Sequence, residues 1–201
     1  MSSDYYKTIQ EKSEGLFKDK GSRFLAFAFP VSSEDQVKPV VKDIKKKYHD
    51  ARHHCYAYRL GPDGESFRAY DDGEPSGTAG KPILGQILSN GLSDILIVVV
   101  RYFGGTLLGT SGLINAYKNS AADAINNSAF VEKMVKQKIE LVFSYELLSQ
   151  AMRIIKDENL EVICQNLTEN CQIIVSVRKS ELSRIQEKFL AIFGIDVSIL
   201  D

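Results

Sequence analysis

The chain is poor in the residues that announce metal or disulfide chemistry. Its 201 residues include three cysteines and three histidines. Cys55, Cys164 and Cys171 are odd in number and lack C-x-x-C spacing, which excludes a disulfide framework and fits free thiols in a reducing cytoplasm. An excess of one charge is also missing: 25 Lys+Arg stand against 26 Asp+Glu, a formal net charge of -1. Proteins held to polyanions by bulk charge are strongly basic, so strong nonspecific DNA binding is not expected. Long apolar runs are absent. The longest, Ile95–Val100, falls far short of the about 20 residues a membrane helix needs, and Met1–Gln10 is polar without a leader-type apolar segment. The expectation is a soluble cytoplasmic protein with no membrane partner. There is no fixed-period repeat and no low-complexity segment. What remains is an ordinary globular composition, 44% hydrophobic and 25% charged, able to bury a core without metals or disulfides.

The hydropathy pattern breaks into two blocks, 1–130 and 131–201. Neither is a basic module: the first carries 16 Lys+Arg and 15 Asp+Glu, the second 9 and 11. In the first block, residues 23–30 read as a strand ended by Pro30. Ser32 or Ser33 then caps a helix with Val37, Val40, Val41, Ile44 and Tyr48 in register. Residues 52–60 and 67–70 read as a hairpin around Gly61-Pro62-Asp63-Gly64. An irregular stretch, Asp71–Pro82, precedes a short helix over 83–88. Ser93–Val100 reads as a strand covered on both faces, and a helix carrying Ile114, Tyr117, Ala121 and Ile125 follows. In the second block, strands over 138–143, 162–167, 173–177 and 195–199 alternate with helices carrying Leu148, Ala151 and Ile155, and then, behind a Ser180 cap, Leu182, Ile185, Phe189 and Ile192. The order is β-α-β-β-α-β, the ferredoxin-like arrangement, so the fold class is α+β with two domains. That shape alone says little about function.

Two loops concentrate the candidate chemistry. Arg101–Gly112, RYFGGTLLGTSG, joins a buried strand to a helix. A helix N-terminus presents unpaired N–H groups and partial positive charge. Gly104, Gly105, Gly109 and Gly112 let backbone approach a ligand, Thr106, Thr110 and Ser111 add hydroxyls, and Arg101 adds a guanidinium fork. The stretch therefore reads as an anion cradle, or as a tight turn with Arg101 paired to an acidic loop residue. It is neither a P-loop, since Gly80-Lys81 is followed by Pro82, nor a dinucleotide G-x-G-x-x-G. The second loop sets Asp71, Asp72 and Glu74 close together, as a Mg²⁺ or Arg101 partner set or as ordinary turn chemistry.

His53, His54 and Cys55 lie on a strand, so His53 and Cys55 share a face and His54 takes the other. They cannot all ligate one ion without distortion, and no metal site is assigned. They read as polar residues on a pocket floor beside the acidic loop, or as satisfied histidines. Tyr56 and Tyr58, alternate residues of one strand, could stack bases or bridge core and surface.

Arg52–Gly61, Asp71–Leu84 and Val98–Tyr117, with Lys20–Ala26, resemble the IMPACT family in its bacterial YigZ-type branch. The resemblance is strong to about Phe130 and weaker beyond. It implies an N-terminal domain similar to the ribosomal-protein and GHMP-kinase type and to domain IV of elongation factor G. It also implies a C-terminal domain similar to the ferredoxin-like domain V of that factor. Eukaryotic relatives regulate translation partly through an added domain that this sequence does not show. The resemblance transfers no catalytic residue. The expected function is a translation-associated regulatory or RNA- or ribosome-binding protein. Lys81, Arg101, Tyr102 and the glycine loop would hold a phosphate, and protein partners from the translation apparatus are also expected. The alternatives are an enzyme acting on a phosphorylated or carboxylated metabolite, with Asp71, Asp72 or Glu74 as base or Mg²⁺ ligand and His53 and His54 as proton shuttles, and a protein-interaction module. No cofactor is assigned.

Overall fold

The computed structural model describes residues 4–200; Met1–Ser3, which open the polar Met1–Gln10 segment, and Asp201 lie outside the described residues. The fold is mixed α and β. It divides into two compact units, one formed by Tyr6–Lys133 and the other by Met134 onward together with Asp4 and Tyr5. The elements of the first part of the chain are β1 (Tyr5–Ile9), β2 (Ser13–Asp19), β3 (Ser22–Pro30), α1 (Glu34–Lys47), β4 (His53–Leu60), β5 (Ser66–Tyr70), α2 (Gly80–Ser89), β6 (Ile95–Tyr102), α3 (Gly109–Asn126) and β7 (Phe130–Met134).

β6 lies at the centre of a five-stranded antiparallel sheet ordered β2-β3-β6-β4-β5. Its apolar run follows from that position. Ile95, Ile97 and Val99 enter a core with Ile83 and Ile87 of α2 and Leu113, Tyr117 and Ile125 of α3. Leu96, Val98 and Val100 turn to the opposite face, against Val37 and Ile44 of α1. All six are fully buried. Covering the faces, rather than parallel pairing, makes the strand apolar throughout.

Three strands escape the hydropathy pattern: β1, β2 and β7 are short and mix charged with apolar residues without clean alternation, so their pairing shows only in three dimensions. The helix predicted over 83–88 starts at Gly80, which places Lys81 and Pro82 in its first turn, where proline needs no N–H partner. The two predicted serine caps fare differently, and neither makes a side-chain cap bond. Ser33 holds the N-cap position of α1 without a side-chain bond, and Gln36 reaches back instead to accept the Ser32 N–H at 2.8 Å. Ser180 sits in a 3-10 turn, Lys179–Glu181, and its N–H bonds to Asp4 Oδ1 at 2.8 Å.

The second unit contains β8 (Lys136–Ser144), α4 (Leu148–Asp157), β9 (Glu161–Asn166), β10 (Asn170–Arg178), α5 (Leu182–Leu190) and β11 (Ile195–Leu200). Its antiparallel sheet runs β11-β8-β10-β9. Ile139, Leu141 and Phe143 alternate into a core with Ile155, Cys171, Ile185 and Phe189. Cys171 is sealed in that core, Cys55 in the other, and Cys164 is exposed on β9. Among the described residues, no helix is long and apolar enough to cross a membrane.

Candidate functional site

The glycine loop leaves β6 at Tyr102 and enters α3 at Gly109. Beside it a cavity of about 670 Å³ is lined by Asp50–His53, Arg101–Phe103 and Leu107. Sheet register explains the convergence, because His53 pairs directly with Arg101 across β4 and β6. Phe103 and Leu107 project into solvent at 56% and 82% exposure. Gly105, Thr106, Gly109, Thr110 and Ser111 are exposed beside them, and Gly112 is half-buried. The α3 N-cap residue, Leu108, supplies no side-chain cap, and the first turn holds no acid.

The glycines of this loop are not equivalent. Gly105 and Gly109 have φ of +88° and +72°, with open space around them. Gly104 instead lies against another turn of the chain: a Cβ there would sit 2.0 Å from the Gly21 carbonyl carbon and 2.1 Å from the Ser22 nitrogen. Its own N–H bonds to Ser22 Oγ at 3.1 Å. Gly104 serves close packing, while Gly105 and Gly109 shape the exposed backbone.

Arg101 is committed to Glu74. Its Nη1 donates to Glu74 Oε1 at 2.6 Å, and both side chains are buried. Tyr117 donates its hydroxyl to the same oxygen at 2.8 Å, and the Cys55 thiol donates to the Tyr117 hydroxyl at 3.3 Å. The Arg101 Nε is buried without a hydrogen-bond partner. Burial pushes the Cys55 thiol up, against the lowering pull of the Tyr117 hydroxyl, and Glu74, Asp72 and Asp71 add to the rise. This thiol is held protonated, the opposite of what a nucleophile requires.

The other two carboxylates of the acidic loop turn away from Glu74. Asp71 Oδ2 accepts the N–H of Gly77 at 2.8 Å, and its Oδ1 accepts those of Ala79 at 3.1 Å and Gly80 at 2.8 Å. The protein's own carboxylate thus caps the N-terminus of α2 from nine residues upstream of Gly80. Burial works to raise the Asp71 carboxyl, but these three backbone donors and the nearby Lys81 charge outweigh it and hold it below the ordinary carboxylate range. Asp72 accepts the His54 N–H at 2.8 Å on one oxygen and Lys45 at 2.9 Å on the other. Among the described residues, no group of three or more His, Cys, Asp or Glu is placed to hold a metal.

A depressed carboxyl stabilises the fold above its unfolded value and loses that contribution as pH falls through the folded one. Asp71→Asn is expected to cost about 1–2 kcal/mol at pH 7, as loss of a helix cap does, and less at pH 3. Urea denaturation at the two pH values measures the difference.

The histidines divide between the faces as the alternation requires. His54 is buried, with Nε2 3.0 Å from the Tyr48 carbonyl, and His53 Nδ1 lies 2.9 Å from the Asp72 carbonyl. Tyr102 donates to Asp50 at 2.8 Å at the cleft rim. Lys81 is exposed on α2 and is not part of the cleft lining. Tyr58 does not offer a stacking face: it is buried, donates to Glu34 at 2.8 Å, and is pushed up to about 12 by burial and by that carboxylate. Arg52, Phe103 and Leu107 belong to the cleft and are missing from the sequence-based set. Large apolar residues at 103, 107 and 108 among the glycines of the loop were the signal for the last two.

Residues 20–125 match the family model of the Impact N-terminal domain. The chain is 32% identical over 182 residues to the IMPACT family member YvyE of Bacillus subtilis, covering 90% of this chain and 84% of that one. It is 38% identical over 132 residues to the IMPACT family member YigZ of Escherichia coli, covering 65% of each. A crystal structure described as that of a hypothetical protein aligns with a TM-score of 0.77 at 27% identity, covering 99% of this chain and 98% of that one.

Proposed function

The chain belongs to the IMPACT family, and from that premise we propose that it is a regulatory protein of the translation apparatus that contacts structured RNA or the ribosome through the cleft beside the glycine loop. The first unit is read as similar to the ribosomal-protein and GHMP-kinase type and to domain IV of elongation factor G. The second, with its β-α-β-β-α-β order, is read as ferredoxin-like and similar to domain V of that factor. The proposed site of action is the cytoplasm, with no membrane and no bulk DNA binding.

The observation that carries this reading is the exposed edge of the cleft. Arg52 lines it, α3 presents an N-terminus with neither a side-chain cap nor an acid in its first turn, and Phe103 and Leu107 stand beside them in solvent. A phosphate would complement the backbone donors, and an unpaired base would cover the apolar side chains. The acidic loop offers less to an enzyme, because each of Asp71, Asp72 and Glu74 already holds structural partners. Phe103 and Leu107 also support a second reading, in which a protein partner docks on the same edge.

Ribosome co-sedimentation and titration with ribosomal RNA at low salt test the proposal. Micromolar binding is expected, with a shallow salt dependence for a chain of near-zero net charge. Arg52→Gln should weaken it severalfold and lower the salt slope by about 1. Absence of binding to either at micromolar protein would overturn it.

A further inference from the structure

A second surface of the Tyr6–Lys133 unit combines a cluster of cations with a tilted pair of aromatic rings. α1 is a single helix on one face of a five-stranded sheet, and it leaves the β5 end of that face uncovered. Every residue of β5 is exposed. Register places Tyr70 directly opposite Tyr56, and Arg68 opposite Tyr58, so Tyr56, Tyr70 and Arg68 project on the α1 side. The Tyr56 and Tyr70 rings lie 5.2 Å apart at 38°. Arg68 is 5.9 Å and Lys45 6.0 Å from the centre of the Tyr70 ring.

α1 forms the other wall. Lys38, Lys42 and Lys45 recur at helical spacing and turn the same way. The groove between the walls encloses about 440 Å³, and its lining contains these three lysines and Arg68 but no carboxylate. Lys45 is paired to Asp72 at 2.9 Å, and Lys38 to Asp35 at a loose 3.6 Å on the open surface. Lys42 and Arg68 pair with no carboxylate among the described residues. No residue of this groove lines the cleft beside the glycine loop.

We propose that the α1–β5 groove is a nucleotide-recognition site in which a nucleobase stacks on Tyr70, supported by Tyr56, while Lys42 and Arg68 hold the adjoining phosphates. Exposed aromatic rings among backbone-tracking cations are how single-stranded nucleic acid is held without sequence readout. An acidic peptide would use the cations and leave the rings idle. A mononucleotide and one residue of a single strand offer the same base and phosphate, so the two sources are separated by experiment. The inference stands independently of the reading of the cleft.

The full chain would be titrated with a fluorescein-labelled octauridylate and separately with uridine monophosphate. Anisotropy reports the first. Tyrosine fluorescence, unobscured because the chain has nine tyrosines and no tryptophan, reports the second. Tyr70→Leu keeps an apolar residue on an exposed edge strand, and circular dichroism confirms its fold. It is expected to weaken binding about tenfold. Lys42→Gln with Arg68→Gln should weaken binding and lower the octauridylate salt slope by about 1.4. Lys18→Gln, an exposed charge on β2 that lines neither the groove nor the cleft, should leave the octauridylate affinity unchanged. Binding of octauridylate alone identifies a strand site, and equal loss for the monophosphate identifies a nucleotide site; both support the proposal. Folded groove variants that bind as the unaltered chain does, or an unaltered chain that binds neither probe, would overturn it. So would displacement of octauridylate by polyglutamate with no effect of Tyr70→Leu, which would mark the groove as a seat for an acidic protein.

Discussion

Glu74→Leu is expected to destabilise the Tyr6–Lys133 unit by about 3–5 kcal/mol, the cost of leaving one member of a buried ion pair without its partner. Arg101 has no alternative acceptor in the contacts it makes. Its Nη1 bonds to Glu74, and its Nε is already buried without a partner. The same change removes the acceptor of the Tyr117 hydroxyl, itself fully buried against Phe24. Adding Arg101→Met to Glu74→Leu should recover at least half of the loss, because it removes the stranded charge and keeps the volume apolar. Urea denaturation of the two variants and the unaltered chain measures both effects. A double variant no more stable than Glu74→Leu alone would show that the guanidinium is not the source of the cost.

Gly104→Ala is expected to cost at least about 2–3 kcal/mol, and Gly105→Ala only about 1. At position 104 a methyl group would overlap the Gly21–Ser22 backbone, which cannot move without shifting the β2–β3 turn and the end of β6. At position 105 there is open space, and the penalty is only that of a positive φ. Thermal denaturation of the two variants should therefore separate sharply, although the residues are neighbours in one motif. If the cleft binds RNA as proposed, Gly105→Ala should reduce binding more than it reduces stability.

Those two glycines also mark how far the sequence could be read. The central strand was legible because a run from Ile95 to Val100 can only be satisfied by cover on both faces, and α1, α2 and α3 provide it. Alternation on β4 correctly separated His54 from His53 and Cys55, since side-chain direction is local geometry. Ser33 was legible as the N-cap position of α1 although its side-chain bond does not form, whereas Ser180 gives both its N–H and its hydroxyl to Asp4 and leaves the N-cap of α5 to Glu181. The acidic loop was legible as a concentration of charge but not in its division of labour. Asp71 closes a helix, Asp72 joins α1 to β4, and only Glu74 meets Arg101. Long-range partners decide that, and spacing cannot. The basic groove stayed hidden for a related reason: its lysines and Arg68 are 23 or more residues apart along the chain and meet only through the register of β4 with β5.

The placement of the cysteines gives the molecule its own pair of clocks. Cys55 lies in the core of one unit and Cys171 in the core of the other, each fully buried, while Cys164 is open to solvent. An alkylating reagent meets Cys164 at once, and each of the other two only when its own unit opens. The rates at which those two thiols disappear therefore record the opening of each unit separately, in one tube and without any introduced label.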